Sequence, residues 1–329
     1  MTLRQFKLLL ESISNTISDY QLTGAIQISP GHVNEWVRQF DKDNRLQILH
    51  EMDFVLRKSY FSKSRLERII TELIQDLTSP NKVTRYDQNF LDSAHFLNIQ
   101  KQGESQEHML WLIRKKVRIK NKPQPINFIY VDDIIFTGNR IITDLCEWIQ
   151  NSDAKNISIH IFCIIIHLSA HEKIKNKLKK LAHDRNISLN FWSKYSINNL
   201  SNQTNHEANL WPHLIPYNKY VDEFINFIPD INHYFRNRTP STQLLFSSET
   251  GRQLLEEQLL LKSLEVWSGL KKENKKLLRP LGYSNYGFGF GSMFVTYRNC
   301  PNTCPLILWS GDGTNDNKWY PLFSRKPYN

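Results

Sequence analysis

The chain has 329 residues, of which 40% are hydrophobic and 22% charged, and this composition excludes a disordered tail, a coiled coil and a collagen-like chain. Lys and Arg outnumber Asp and Glu by 42 to 32, and the resulting net charge of +10 favours a polyanionic partner or a phosphorylated substrate. The four cysteines exclude a disulfide scaffold and predict a reducing compartment.

Residues 1–80 are predicted to form an N-terminal helical region. Apolar residues recur there at spacings of three and four, the pattern of a helix with one buried face. Four such stripes are present, and the turn-forming residues 79–81 end the last of them. The stripes consist of Leu3, Phe6, Leu10, Ile13 and Ile17; Val33, Trp36, Val37 and Phe40; Leu49, Met52 and Leu56; and Leu66, Ile69, Ile70, Leu73, Ile74 and Leu77.

Residues 81–240 are predicted to form an α/β core. The apolar runs 126–131, 157–168 and 187–192 are typical of buried strands, and helical patterns at 141–149 and 172–183 separate them. This alternation predicts a doubly wound, mainly parallel sheet.

Residues 241–329 are predicted to be a C-terminal extension that packs on the core. A helix at 251–264 opens it, and Gly, Pro and aromatic residues follow. The segment 287–291 alternates Gly with Phe, but a strand-like segment follows it rather than a helix. That context favours a bend that packs aromatic rings over a dinucleotide loop.

No targeting or membrane-spanning segment is predicted. The N-terminal residues lack the apolar core and small-residue cleavage site of a secretory signal. The most apolar run, residues 157–168, is shorter than the ~20 residues that span a bilayer. We therefore expect a soluble cytoplasmic protein without membrane contact.

The segment that carries chemistry begins with Asp132 and Asp133, which directly follow the predicted strand 126–131. Ligands of open α/β sheets bind at the carboxyl ends of strands. The next residues, Phe136, Thr137, Gly138, Asn139 and Arg140, lead into a helix and would present backbone N–H groups to a phosphate.

The two carboxylates of this segment are suited to sugar hydroxyls, or to Mg²⁺ that is shared with sugar and diphosphate oxygens. Together, the acids and the loop predict a site for a sugar phosphate. The alternative is a strand with an acidic end followed by an ordinary turn, and it stays open at this point.

The segment resembles the ribose-phosphate motif of type I phosphoribosyltransferases, which bind 5-phosphoribosyl-1-diphosphate (PRPP). The resemblance implies that Asp132 and Asp133 are catalytic residues that hold the ribose hydroxyls and, indirectly, Mg²⁺. It further implies that residues 136–140 cradle the 5′-phosphate. Phe136 departs from the catalytic carboxylate of purine-salvage members, and Tyr130 is bulkier than the usual residue.

Four further stretches, residues 32–40, 245–252, 299–309 and 319–325, resemble a divergent phosphoribosyltransferase-like family. Its members are effectors in bacterial conflict operons, including antiphage retrons. The resemblance implies a toxic effector that a reverse transcriptase and its RNA–DNA hybrid product control. The alternative is a catalytically inactive nucleotide-sensing or scaffold module within a nucleoprotein complex.

The resemblance also requires a pyrophosphate loop upstream of the acid pair. Gly103, Glu104 and Ser105 precede a predicted apolar helix and are the candidates, although an exposed polar turn explains them as well. Arg325 lies among aromatic residues, where its guanidinium would contact a phosphate or stack on a base.

The remaining candidates are basic clusters and a cysteine pair. Lysine and arginine are concentrated in residues 114–122, 173–180 and 271–279, which indicates either solvated surfaces or contact with a nucleic-acid backbone. Cys300 and Cys304 have no second pair and no nearby histidine, so two buried thiols are favoured over a zinc site.

Overall fold

A computed structural model of the chain describes residues 3–21, 27–78, 90, 94–101, 105–116, 125–197, 209–212, 217–227, 245–284, 287–311 and 319–325. The helices are α1 (Leu3–Thr16), α2 (Pro30–Val37), α3 (Arg45–Ser59), α4 (Lys63–Thr78), α5 (Ser105–Arg114), α6 (Asn139–Asn151), α7 (Leu168–Asp184), α8 (Lys219–Phe227), α9 (Glu249–Ser268), α10 (Lys272–Leu277) and α11 (Leu306–Trp309). The strands are β1 (Tyr60–Phe61), β2 (Ala94–Phe96), β3 (Asn127–Ile135), β4 (Ile157–His167), β5 (Ile187–Ile197) and β6 (Val295–Thr296).

The chain divides into two compact units. One is Ser64–Asn198, and the other joins Met1–Lys63 to Asn199–Asn329. The two units are defined by the contacts between residues within each of them. The division of the chain into three domains, residues 1–80, 81–240 and 241–329, stays a prediction.

The unit Ser64–Asn198 is an α/β fold, as the sequence predicts. Its sheet has the order β2-β3-β4-β5, and every neighbouring pair is parallel. Helices cover both faces. Tyr130 on β3 contacts Asp144 on α6, whereas the adjacent Ile129 and Val131 line a cavity with Met109 on α5.

Strand β3 is longer than the sequence predicts. The apolar run indicates a strand at 126–131, but β3 continues to Ile135, and Asp132 pairs with Cys163 inside the ladder. The neighbouring strand β4 continues beyond the end of that run and offers backbone partners there, so that Ile134 and Ile135 pair with Ile165 and Ile166. Those ladder hydrogen bonds outweigh the low strand propensity of aspartate. The acid pair consequently lies within a strand rather than after it.

The other unit is held together by a core that joins the two ends of the chain. The N-terminal helices α1, α2 and α3 are present as predicted, although Leu3, expected on the buried stripe of α1, is 74% exposed. Strand β1 pairs in parallel with β6. The indole N–H groups of Trp36 and Trp319 both donate to the carbonyl oxygen of Ile307, at 3.2 and 2.7 Å.

The stretch 287–291 forms the predicted bend. Gly289 has a φ of +130°, and a Cβ atom there would lie 2.5 Å from the carbonyl carbon of Leu281, so only glycine fits. Phe288 packs in the core beside Phe224, with ring centroids 5.3 Å apart. The thiols of Cys300 and Cys304 are both fully buried.

Candidate functional site

The loop after β3 leads directly into helix α6. Gly138 is the N-cap of α6 with a left-handed φ of +70°, and a Cβ atom there would lie 3.0 Å from Ile174 Cγ1 on α7. Among the described residues no side chain caps this helix end, and its first turn contains no acidic residue. The first backbone N–H groups of a helix lack intrahelical partners, and the helix dipole is positive there. An anion is therefore favoured at this position.

The predicted phosphate-binding residues differ in how they can contribute. Phe136 is buried, Thr137 is half-buried, and Asn139 and Arg140 are exposed at the start of α6. The buried ring leaves Phe136 only its backbone to offer to a phosphate. Arg140 supplies a positive charge in the first turn of α6, and this charge opposes the rise in the pKa of Asp132.

Asp132 is a buried carboxylate with donors on both oxygens. Its Oδ1 accepts hydrogen bonds from the Ser105 hydroxyl and the Asp133 backbone N–H, both at 2.9 Å. Its Oδ2 accepts one from Gln100 Nε2 at 3.2 Å. Burial, and then the neighbouring Asp133 charge, raise the pKa of Asp132 to about 8, and the Ser105 hydrogen bond opposes that rise.

Three residues that sequence reasoning did not assign to the site form a series of contacts that ends at Asp132. The side chain of Gln100 reaches Asp132 from the segment after β2, and Tyr130 and Asp144 continue the contacts toward α6. The sequence marks Tyr130 as a buried strand residue and as a departure from the ribose-phosphate motif, but not as a ligand-site residue, and nothing in it points to Gln100. Asp144 lies on the buried side of an amphipathic helix, and this unusual place for a carboxylate was the one available signal.

Lys173 on α7 is a fourth missed residue. Its Nζ donates to Asn139 Oδ1 at 2.6 Å, so its charge lies beside the start of α6. The sequence places Lys173 in a basic cluster but does not distinguish it from the other lysines there. In the structure Lys173 lies near the start of α6 because the adjacent Ile174 packs on Gly138.

The other predicted site residues are placed as follows. Ser105 is the first residue of α5 and contacts Asp132, whereas Gly103 and Glu104 lie outside the described residues. Arg325 belongs to the other compact unit, where its guanidinium lies 4.7 Å from the centroid of the Trp309 ring. A contact between Arg325 and a ligand stays a prediction.

A cavity on the opposite face of the sheet is lined only by apolar groups and one thiol, so it offers no partner for a phosphate. It is formed by Ile70, Leu73, Ile74, Phe96, Met109, Ile113, Ile129, Val131, Phe162 and Cys163. In the described parts of the chain, no three His, Cys, Asp or Glu side chains are grouped so as to hold a metal ion. The described helices are all too short or too polar to cross a membrane.

One of three comparisons with known proteins identifies a family for this chain. A search of curated proteins finds no match. Among solved structures, the AQ2163 protein from Aquifex aeolicus matches with 12% identity and a TM-score of 0.28, over 52% of this chain and 84% of that one. A likeness this distant supports no statement on function. The family model PRTase-CE matches residues 33–325, most of the chain, and the chain therefore belongs to the PRTase-CE family.

Proposed function

We propose that this phosphoribosyltransferase-like protein binds PRPP, or a related sugar phosphate or nucleotide, together with Mg²⁺. The observation that carries the proposal is the arrangement along a single strand–loop–helix connection. Asp132 and Asp133 lie near the end of β3, and the uncapped start of α6 follows within a few residues. The acids match the hydroxyls of a sugar, and the helix start matches its phosphate.

In this proposal each part of the site has one task. Asp132 and Asp133 accept hydrogen bonds from the sugar hydroxyls, and the backbone of residues 136–140 holds the 5′-phosphate. Ser105, at the start of α5, contacts Asp132 and is assigned in this proposal to the diphosphate. Departure of diphosphate from C1 leaves positive charge on the sugar ring, which nearby carboxylates stabilise.

The residues present suit a Mg²⁺ ion that is held mainly by the ligand. Asp132 Oδ1 accepts two hydrogen bonds from protein groups and Oδ2 accepts one, so a single acceptor position remains on Oδ2, which is enough for one ligand hydroxyl but not for bidentate coordination of a cation. Mg²⁺ commonly keeps several waters and is bound by substrate phosphates with one or two carboxylates. When bound, the ion would neutralise charge on the diphosphate.

The proposed biological role is that of a toxic effector in an antiphage system, controlled by a reverse transcriptase with its RNA–DNA hybrid. The stretches that resemble conflict effectors and the net charge of +10 support it. The acceptor of the sugar would be a nucleotide, a nucleic acid or a protein.

A second candidate function is a nucleotide-sensing or scaffold module without turnover. The observation that favours it is the buried side chain of Phe136, because phenylalanine cannot take or give a proton. This candidate keeps the ligand site and predicts binding without release of pyrophosphate.

The test measures binding of PRPP and Mg²⁺ and release of pyrophosphate in the wild type and in Asp132→Asn and Asp133→Asn. We expect each variant, assayed above about pH 8 so that Asp132 of the wild type is ionised, to bind PRPP at least about tenfold more weakly, because a hydrogen bond to a charged group is lost. Asp153→Asn, at an exposed position in the same unit, is the matched control. Unchanged affinity in both site variants would overturn the proposal, and Asp133-dependent release of pyrophosphate would exclude the sensing module.

A further inference from the structure

A chain of hydrogen bonds connects helix α6 to the acid pair. Tyr130 Oη donates to Asp144 Oδ2 at 2.9 Å and accepts from Gln100 Nε2 at 3.2 Å. The same Gln100 nitrogen donates its second hydrogen to Asp132 Oδ2 at 3.2 Å. Tyr130 is fully buried, and Asp132 and Asp144 are 6% and 8% exposed. Water therefore has little access to Tyr130 or to the two carboxylates, whereas Gln100 is half-buried.

The orientation of the Gln100 amide is fixed by its neighbours. Its Oε1 accepts from the Gln106 backbone N–H at 3.2 Å and lies 3.1 Å from the Ser105 hydroxyl. A flipped amide would turn this oxygen toward the carboxylate of Asp132 and its N–H groups toward the Gln106 N–H. Both contacts would then be repulsive, so only one orientation satisfies the groups around it.

The Tyr130 hydroxyl also has a fixed role in the chain. Burial, followed by the charges of Asp132 and Asp144, raises the pKa of Tyr130 far above its ordinary value, so the hydroxyl keeps its proton. A neutral hydroxyl next to a carboxylate donates to it and leaves its lone pair for Gln100. Tyr130 thereby anchors the Gln100 nitrogen that contacts Asp132.

We propose that Tyr130 is a positioning residue that acts through Gln100 to hold the Asp132 carboxylate in the orientation that receives a ligand hydroxyl. Without the tyrosine hydroxyl, one hydrogen of Gln100 lacks its acceptor, and the amide loses the contact that holds its nitrogen beside Asp132 Oδ2. This role belongs to the hydroxyl of Tyr130 and not to its ring. Phenylalanine fills almost the same volume, so Tyr130→Phe removes the hydroxyl alone. This inference rests on the proposed sugar-phosphate site.

The test combines Tyr130→Phe with ligands that lack one hydroxyl. Ribose 5-phosphate, 2-deoxyribose 5-phosphate and 3-deoxyribose 5-phosphate are titrated into each protein by calorimetry. In the wild type, loss of either hydroxyl is expected to weaken binding by at least about tenfold. In Tyr130→Phe, the penalty for the hydroxyl that Asp132 binds falls below about threefold, and the other penalty is retained.

A merely structural role predicts something different. If the hydroxyl only stabilised the fold, Tyr130→Phe would weaken all three ligands by one factor and leave both penalties unchanged, and that result would overturn the inference. Gln100→Leu, at a half-buried position, repeats the test if Tyr130→Phe does not fold. Tyr217→Phe, 94% exposed, is the control that should change nothing.

Failure of the proposed function gives a separate result. A wild type that binds none of the three sugar phosphates, or binds all three equally, removes the sugar site and the inference with it. A wild type that discriminates, with a Tyr130→Phe variant that discriminates equally, removes the inference alone.

Discussion

At the scale of single residues, Asp132 is a carboxylate in an environment that opposes its charge. It is 6% exposed and next to Asp133, and both conditions favour its protonated form. Hydrogen bonds from Ser105 and Gln100 act in the other direction because they stabilise the ionised form. The balance keeps the group close to its titration point near neutral pH, where a small change in surroundings changes its charge.

The raised pKa predicts that binding of ribose 5-phosphate becomes tighter with increasing pH. The ionised carboxylate accepts a ligand hydroxyl more strongly than the protonated one does, so protonation weakens binding at pH values below the pKa of about 8. Above about pH 7 the ligand phosphate is already dianionic and adds no further dependence. Calorimetry from about pH 7 to about pH 9 should show affinity that rises by up to tenfold per pH unit and then levels off.

Ser105→Ala sharpens this prediction. Its hydroxyl lowers the pKa of Asp132, so removal of the hydroxyl should move the midpoint of the binding curve to higher pH. Tyr130 and Cys163, whose pKa values burial raises, stay protonated over this range and do not contribute. The control is Ser188→Ala, at an exposed position on β5. A loss of affinity that is equal at every pH would contradict this role of Ser105.

At the scale of elements, the sequence indicates which strands and helices exist better than where they end. The apolar pattern of residues 126–131 identifies β3 because a buried strand requires such residues. Its four additional residues depend on β4, a neighbour that is distant in sequence. The contact between Gln100 and Asp132 likewise requires β2 and β3 to lie side by side, which no local pattern specifies.

The start of α6 carries a charge arrangement that predicts a role for Lys173. The amine of Lys173 and the guanidinium of Arg140 lie at the positive end of the dipole of α6, where cations are unfavourable unless an anion is bound. Lys173→Met should weaken binding of ribose 5-phosphate by roughly three- to tenfold because one charge partner of the phosphate is lost. The thermal unfolding temperature of the ligand-free protein should stay the same or rise.

Lys177→Met is the matched control for Lys173→Met. It removes the same charge one turn further along α7, at an exposed position. Equal weakening of binding in both variants would mean that the phosphate responds to total charge rather than to Lys173. A clear loss of thermal stability in Lys173→Met alone would mean that its contact with Asn139 is structural.

At the scale of the whole molecule, the sequence predicts the fold class but not the pairing of the chain ends. The sequence stretches around His32 and Leu322 look like separate motifs, yet His32 Nε2 lies 2.8 Å from the carbonyl oxygen of Leu322. His32 Nδ1 lies 2.8 Å from the Tyr320 hydroxyl. The hydrophobic periodicity of a stretch predicts its local secondary structure, but it does not predict contacts between residues almost 300 positions apart.

The basic clusters that contribute to the net charge of +10 differ in how far nearby acidic residues neutralise them. In the cluster at 271–279, Lys275 Nζ lies 2.8 Å from Glu223 Oε1 and also 4.8 Å from the Trp267 ring centroid. On α7 the residues between Glu172 and Asp184 include exposed lysines but no acid. Within the described residues, those lysines form no ion pair, so α7 presents the less neutralised of the two surfaces.

We therefore expect α7 to dominate any contact with a nucleic-acid backbone. Neutralisation of phosphates releases counterions, so binding of an RNA–DNA hybrid duplex should weaken as a linear function of log salt concentration. Replacing four lysines of α7 with glutamine should lower affinity and reduce that slope by up to about 3.6 units. The variant changes Lys175, Lys177, Lys179 and Lys180.

The control removes four charges from the other cluster, by glutamine substitution of Lys271, Lys272, Lys275 and Lys276. Both variants have the same net charge, so a difference between them reports the location of the contact and not the overall field. Filter binding or fluorescence anisotropy at several salt concentrations measures both affinity and slope. Equal losses in the two variants would assign binding to net charge alone, and an association insensitive to salt would exclude contact through phosphates.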